Sequence, residues 1–128
     1  MLIICVNAVS RNYDTLIEKA LEFEPEVIPI LIERLKTSFL DMYIEIACVF
    51  LSVCKNIDAD ILFDCYNKTS NPYTKSSVLL ALGFQAGESA IPWIQEQYFS
   101  LKKAYPDESY HEGAYYALWE MEDRFYAK

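Results

Sequence analysis

Ile91-Pro92-Trp93-Ile94-Gln95-Glu96-Gln97-Tyr98, followed after a turn by Tyr110 to Trp119, is the third appearance of one pattern. The first is Val27-Ile28-Pro29-Ile30-Leu31-Ile32-Glu33-Arg34-Leu35 with Tyr43 to Ser52, and the second is Ala59-Asp60-Ile61-Leu62-Phe63-Asp64-Cys65-Tyr66 with Thr74 to Gly83. Pro29, Asp60 and Pro92 recur at steps of 31 and 32 residues. The pattern places them in a helix's first turn, where a missing N–H is harmless and negative charge is favoured. Apolar positions follow in register as Leu31, Leu62 and Ile94, then as Leu35, Tyr66 and Tyr98. In the second segments, Ala47-Phe50-Leu51, Val78-Ala81-Leu82 and Ala114-Ala117-Leu118 match at steps of 31 and 36. The extra residues fall in the turn Lys102-Lys103-Ala104-Tyr105-Pro106-Asp107. Helical periodicity that recurs at a fixed step reads as stacked helical hairpins.

Punctuation agrees with that reading. Ser38 and Asp58 are expected N-caps, because a short side-chain oxygen satisfies a free first-turn N–H. Asn71-Pro72 and Tyr105-Pro106-Asp107 are expected breaks within the second and third units. Upstream, Leu16, Ile17, Ala20 and Leu21 give residues 13–23 an amphipathic spacing that ends before Pro25. That segment reads as the second helix of a partial leading unit, with residues 2–10 as its partner, helix or strand. Small residues on the second helices predict close helix–helix approach. At 128 residues the chain fits one domain, 1–128.

The pattern resembles the HEAT repeat family. The resemblance is carried by Ile28-Pro29 with Ala47 and Leu51, by Ala81-Leu82-Gly83, and by Ile91-Pro92 with Ala114 and Ala117-Leu118. It implies an all-α fold, a right-handed α-α superhelix of about three HEAT-like hairpins plus an N-terminal partial unit. The sequence departs from the family at the Arg position of the second helix, occupied by Ile44, Lys75 and His111, and at the Asp that usually follows the first helix.

Composition narrows the function classes. A formal charge of -8 repels phosphates, so no nucleic-acid partner is expected. The same field favours encounter with a basic protein. Cys5, Cys48, Cys54 and Cys65 form no CxxC pair and sit among apolar residues, which reads as buried reduced thiols. His111 is the single histidine and has no ligand partner at useful spacing, so neither a metal nor another cofactor is expected. No apolar run approaches the ~20 residues of a membrane span, and the short apolar start lacks a basic flank and a cleavage pattern. A cytoplasmic protein without a membrane partner is expected. The nucleotide, zinc, hydrolase and calcium motifs are absent, and Tyr110-His111-Glu112 reads as a surface pair rather than a catalytic one. The run Glu120-Met121-Glu122-Asp123 reads as a solvated helix end with Arg124 as counter-charge.

In HEAT-like solenoids the second helices line a concave face. Glu108, Glu112, Tyr115 and Trp119 fall on one helical face at i, i+4, i+7 and i+11. The register puts Asp41, Glu45, Cys48 and Ser52 at the same places in the first unit and Pro72, Ser76, Leu79 and Gly83 in the second, with Glu18 and Glu22 from the leading helix. Carboxylates beside aromatic rings suit capture of Lys or Arg side chains. The expectation is therefore a non-catalytic protein-binding module with an acidic, aromatic concave face for a basic protein. A bacterial immunity protein neutralising a toxin domain is its specific version. A HEAT-like lyase or chaperone for a cofactor-bearing protein, or a structural oligomer subunit, is the alternative.

Overall fold

A computed structural model describes residues 14–127. The expectation for residues 2–10, and Cys5 with it, falls outside the described residues. Residues 14–21 are helical (α1), followed by α2 (Glu24–Leu35), α3 (Asp41–Val53), α4 (Ala59–Lys68), α5 (Pro72–Gln85), a single 3-10 turn (Glu88–Ala90), α6 (Ile91–Ala104) and α7 (Glu112–Phe125). No strand occurs among the described residues, and none of their helices is long and apolar enough to cross a membrane.

Most boundaries lie where local chemistry puts them. The Asp58 carboxylate accepts from the Asp60 N–H and caps α4, and the Asn71 side chain accepts from the Tyr73 N–H and caps α5 with Pro72 behind it. Two boundaries differ from expectation. Pro29 lies inside α2, whose first turn holds Pro25 instead. A proline needs no N–H at either place if the carbonyl one turn back faces water, and Pro25 and Pro29 are both exposed. Ser38 does not cap α3. Its hydroxyl accepts from the Leu40 N–H in the preceding turn, and α3 starts three residues after it at Asp41.

α5 is the centre of the fold. It packs against α3 on one side and α7 on the other, with α4 also on it; α6 lies on α7, and α2 touches α3 and α4. That environment explains why Thr74 and every residue from Ser76 to Gly83 are buried: a helix enclosed by neighbours is not two-faced. Most of the residues matched between units form the core, with Ala47, Phe50, Leu51, Leu62, Val78, Ala81, Leu82, Ile94, Ala114 and Ala117 all buried, whereas Leu31, Tyr98 and Leu118 are half-buried against it. Glycine lets α5 and α7 touch. A Cβ on Gly83 would stand 2.5 Å from the Ala117 Cα, and one on Gly113 only 1.9 Å from the Ser76 carbonyl oxygen.

Side chains also close the C-terminal end of the preceding helix in the row α3, α5, α7. Gln85 Nε2 donates to the carbonyls of Leu51, Ser52 and Cys54 at the end of α3. Arg124 donates to the Gly83 oxygen at 2.7 Å and to the Ala86 oxygen at 2.6 Å at the end of α5. The last carbonyls of a helix have no partner within it and carry partial negative charge, so an amide or a guanidinium suits them. At the other end of the row, the Asn71 side-chain amide donates to the Ser38 carbonyl.

Candidate interaction surface

The helical register divides α7 into two faces. Gly113, Ala114, Ala117 and Met121 are buried, the first and third of them against α5. Tyr115, Leu118, Trp119, Glu122 and Tyr126 recur at the i, i+3, i+4, i+7, i+11 spacing of the opposite face. α6 divides in the same way: Ile94 and Leu101 are buried, whereas Phe99 is 68% exposed. The rings meet across the helix pair. Tyr98 lies 6.5 Å from Tyr115, and Tyr115 lies 5.8 Å from Trp119, centroid to centroid. Phe99 and His111 stand edge-on to Tyr98 at 5.2 and 5.4 Å. Trp119 is 60% exposed although its indole is among the largest apolar bodies in the chain.

This face is recessed rather than flat. Gln95, Tyr98, Phe99, Tyr115 and Leu118 line a hollow of about 270 Å³. Trp119, Glu122 and Asp123 line a second hollow of about 250 Å³. Glu122 also borders a third hollow of about 340 Å³ with Ile91, Gln95, Leu118 and Tyr126. The Tyr126 hydroxyl donates to the Glu88 carboxylate, which raises the Tyr126 pKa above its ordinary value and ties the end of α7 to the 3-10 turn.

The electrostatics are one-sided. α7 carries Glu112, Glu120, Glu122 and Asp123 against Arg124 alone, and the Arg124 guanidinium is occupied by the Gly83 and Ala86 carbonyls. Arg124 is therefore a helix cap and not the counter-charge expected for the acidic run. Ion pairs join Lys36 with Glu33 and Asp64, and Lys68 with Asp64, all on or beside α2 and α4. The α7 carboxylates have no ion-pair partner among the described residues. One cation already meets the face: Lys102 Nζ sits 5.6 Å from the Tyr98 ring centroid.

The residues expected to form one acidic stripe are dispersed. Tyr115 and Trp119 lie together on the face, with Glu112 at its edge as the first residue of α7, half-buried and with one carboxylate oxygen unpartnered. Glu108 is exposed but sits in the turn before α7, because the helix starts only at Glu112. Asp41 is exposed at the start of α3. Glu45 is buried, 7% exposed, and accepts from the Tyr73 hydroxyl. Glu18 and Glu22 are exposed and border a separate hollow with Glu24 and Lys55. Cys48, Ser76, Leu79 and Gly83, expected along the groove, are buried. The reason is geometric: α5 lies between α3 and α7, so the small residues expected to line a groove are consumed where the helices meet.

Sequence reasoning did not single out Phe99, and it read Glu122 and Asp123 only as part of a solvated helix end. The signal was present in α6, where Gln95 and Phe99 lie on the side away from Ile94 and Leu101, with Ile91 and Tyr98 half-buried at the border between the two sides. It also missed Glu24, a buried carboxylate that accepts from the Lys55 N–H at 2.6 Å and from the Asn56 amide at 3.3 Å. The Lys55 N–H, chief among these contacts, holds the Glu24 pKa below the ordinary carboxylate value against the opposing effect of burial.

Cys48, Cys54 and Cys65 are buried and unbridged. Burial pushes the Cys54 thiol up to about 12 and the Cys65 thiol to about 11, which suppresses the reactive thiolate. No group of three or more His, Cys, Asp or Glu side chains converges as a metal site among the described residues. No protein-family model, curated protein or solved structure matches the chain.

Proposed function

We infer that this chain is a non-catalytic protein-binding module whose α6–α7 face engages a basic protein surface. One observation carries the reading: Phe99, Tyr115 and Trp119 stand exposed on one helix pair beside carboxylates that have no ion-pair partner among the described residues. Exposed clustered rings of this kind mark interaction sites, and Tyr and Trp are the commonest energetic anchors. Carboxylates around them select a cationic partner and speed its encounter.

The order of packing supports a short HEAT-like superhelix as the architecture. Successive hairpins follow one another, α3, α5 and α7 lie side by side, and among the described residues no other helix packs on the outer side of α6–α7. A nuclease toxin domain, with a cleft made basic to hold phosphate, is a partner class that the overall charge of -8 suits, and neutralising it is the immunity role that the charge suggests.

The test begins with capture of partners from the native host, identification of each, and reconstitution with purified protein. The reading expects a basic partner whose affinity falls with added salt and drops in Trp119→Ala and Tyr115→Ala, with both variants folded. Reconstituted binding that is indifferent to both rings would overturn it.

A further inference from the structure

Two of the three hollows on the face differ in chemistry, and together they specify what a bound segment presents. One is lined by Tyr98, Phe99, Tyr115 and Leu118 with Gln95 and is mainly apolar. The other is mainly polar and is lined by Trp119 with Glu122 and Asp123, which sit at i+3 and i+4 from it on α7. An indole with two carboxylates one turn away matches a guanidinium better than an ammonium. The planar guanidinium stacks on the ring while its forked N–H groups meet carboxylate oxygens, whereas a lysine offers a single strongly hydrated point charge. Neither carboxylate is engaged by a cation of this chain among the described residues, since Arg124 points to the end of α5.

The spacing sets the sequence of the ligand. The α7 residues of the apolar hollow are Tyr115 and Leu118, and those of the acidic hollow are Trp119, Glu122 and Asp123. At 1.5 Å per residue the two sets lie about 7 Å apart along the helix axis. Side chains at i and i+2 of an extended segment are separated by about 6.6 Å and point the same way.

We propose that the α6–α7 face binds an extended protein segment bearing an aliphatic residue and, two positions away, an arginine, the aliphatic side chain entering the Tyr98–Phe99–Tyr115–Leu118 hollow and the guanidinium the Trp119–Glu122–Asp123 hollow. This proposal rests on the reading of the face as a protein-binding surface. The arginine supplies the charge complementarity and the ring contact, and the aliphatic residue supplies apolar burial that a free cation lacks.

The probe is the peptide acetyl-Leu-Ser-Arg-amide, titrated into the 15N-labelled full chain while the Trp119 indole N–H is followed by NMR. Trp93, half-buried edge-on to Phe63 and Tyr66, is the internal reference. The expected result is a saturable shift of Trp119 and none of Trp93. Affinity falls about tenfold or more when citrulline or lysine replaces the arginine, and by a similar factor in the double variant E122Q/D123N. Binding of the citrulline peptide as tight as that of the arginine peptide, or an E122Q/D123N variant that binds like the parent, overturns the guanidinium hollow while leaving the aromatic face as a binding surface. If no peptide moves the signals of Trp119 or Phe99, both this proposal and the underlying reading of the face fall. Shifts at these residues that track protein concentration without peptide make a second copy the occupant, which also overturns the proposal.

Discussion

Gly113 donates its backbone N–H to the Ser76 hydroxyl at 3.1 Å and lies so close to the Ser76 peptide that a Cβ on residue 113 would stand 1.9 Å from its carbonyl oxygen. Gly113 is the second residue of α7, and its N–H is one of those a helix start leaves without a partner. His111, at the N-cap, provides no side-chain acceptor. Ser76 of α5 does that work from the neighbouring helix, and the missing Cβ lets the helices approach.

Gly113→Ala is therefore expected to destabilise the chain by about 2 kcal/mol or more through overpacking, although alanine is the better helix former by about 0.5–1 kcal/mol. Gly87→Ala is the control. Nothing lies within 4 Å of a Cβ there and φ is -79°, so a neutral or slightly stabilising effect is expected. Thermal unfolding of the two variants decides it, and a Gly113→Ala protein as stable as the parent would contradict the close α5–α7 contact.

The Arg124 guanidinium joins α7 to the end of α5 through the carbonyls of Gly83 and Ala86. Arg124→Met keeps much of the aliphatic stem and removes the donors, so a loss of about 1–2 kcal/mol is expected. Amide hydrogen exchange should quicken in the last turn of α5, most clearly at Ala86, whose N–H bonds to the Leu82 carbonyl. Arg124→Lys should recover only part of the loss, because one ammonium cannot reproduce the fork. An unchanged urea midpoint in Arg124→Met would mean that the cap is replaced by water without cost.

The helices were legible in the sequence because their signals are local. Asp58 and Asn71 cap where short polar side chains should, and the apolar period marks α3, α5 and α7 with their buried alanines. What was not legible depends on neighbours. Pro25 and Pro29 are equally acceptable in a first turn by sequence, and only the observed start of α2 separates them. Small residues predict close approach but not which helix approaches, so Ser76 and Gly83 were assigned to an open groove that α7 fills. Arg124 and Gln85 link helices through backbone carbonyls, which no side-chain pattern encodes. That Tyr115 and Trp119 share one exposed face was legible because one helix carries both, whereas the α6 half of that surface required the packing of α6 on α7.

Glu24 makes stability depend on pH. Its folded-state pKa is depressed, chiefly by the Lys55 N–H, so the carboxylate is held more strongly in the native chain than in the unfolded one. Its contribution is fully present above the unfolded value of about 4.3 and is lost as the pH falls through the lower folded value. Glu24→Gln should cost about 1 kcal/mol at pH 7 and flatten the acid side of the stability curve. Asp64, lowered by Lys68 and Lys36, titrates in the same direction, so the difference between variant and parent is the quantity to follow in urea melts from pH 7 downward. A difference that stays constant across that range would show that Glu24 is not the titrating group.

Glu45 and Trp119 separate folding from binding. A reading by charge alone treats Glu45 and Glu112 as equivalent groove acids, yet Glu45 is 7% exposed and accepts from the Tyr73 hydroxyl, whereas Trp119 is 60% exposed. Glu45→Lys places an ammonium among buried groups and leaves Tyr73 without that acceptor, so a loss of about 3 kcal/mol or more is expected. Glu45→Gln, which keeps an acceptor oxygen, should lose far less. Trp119→Ala changes a side chain that mostly faces solvent, and surface changes of this kind stay within about 0.5 kcal/mol. Thermal unfolding of the three variants is the measurement. A Glu45→Lys protein that melts with the parent would refute the burial of Glu45. A Trp119→Ala protein destabilised as strongly as Glu45→Lys would make the indole part of the packing, and the α6–α7 face would lose its claim to be open for a partner.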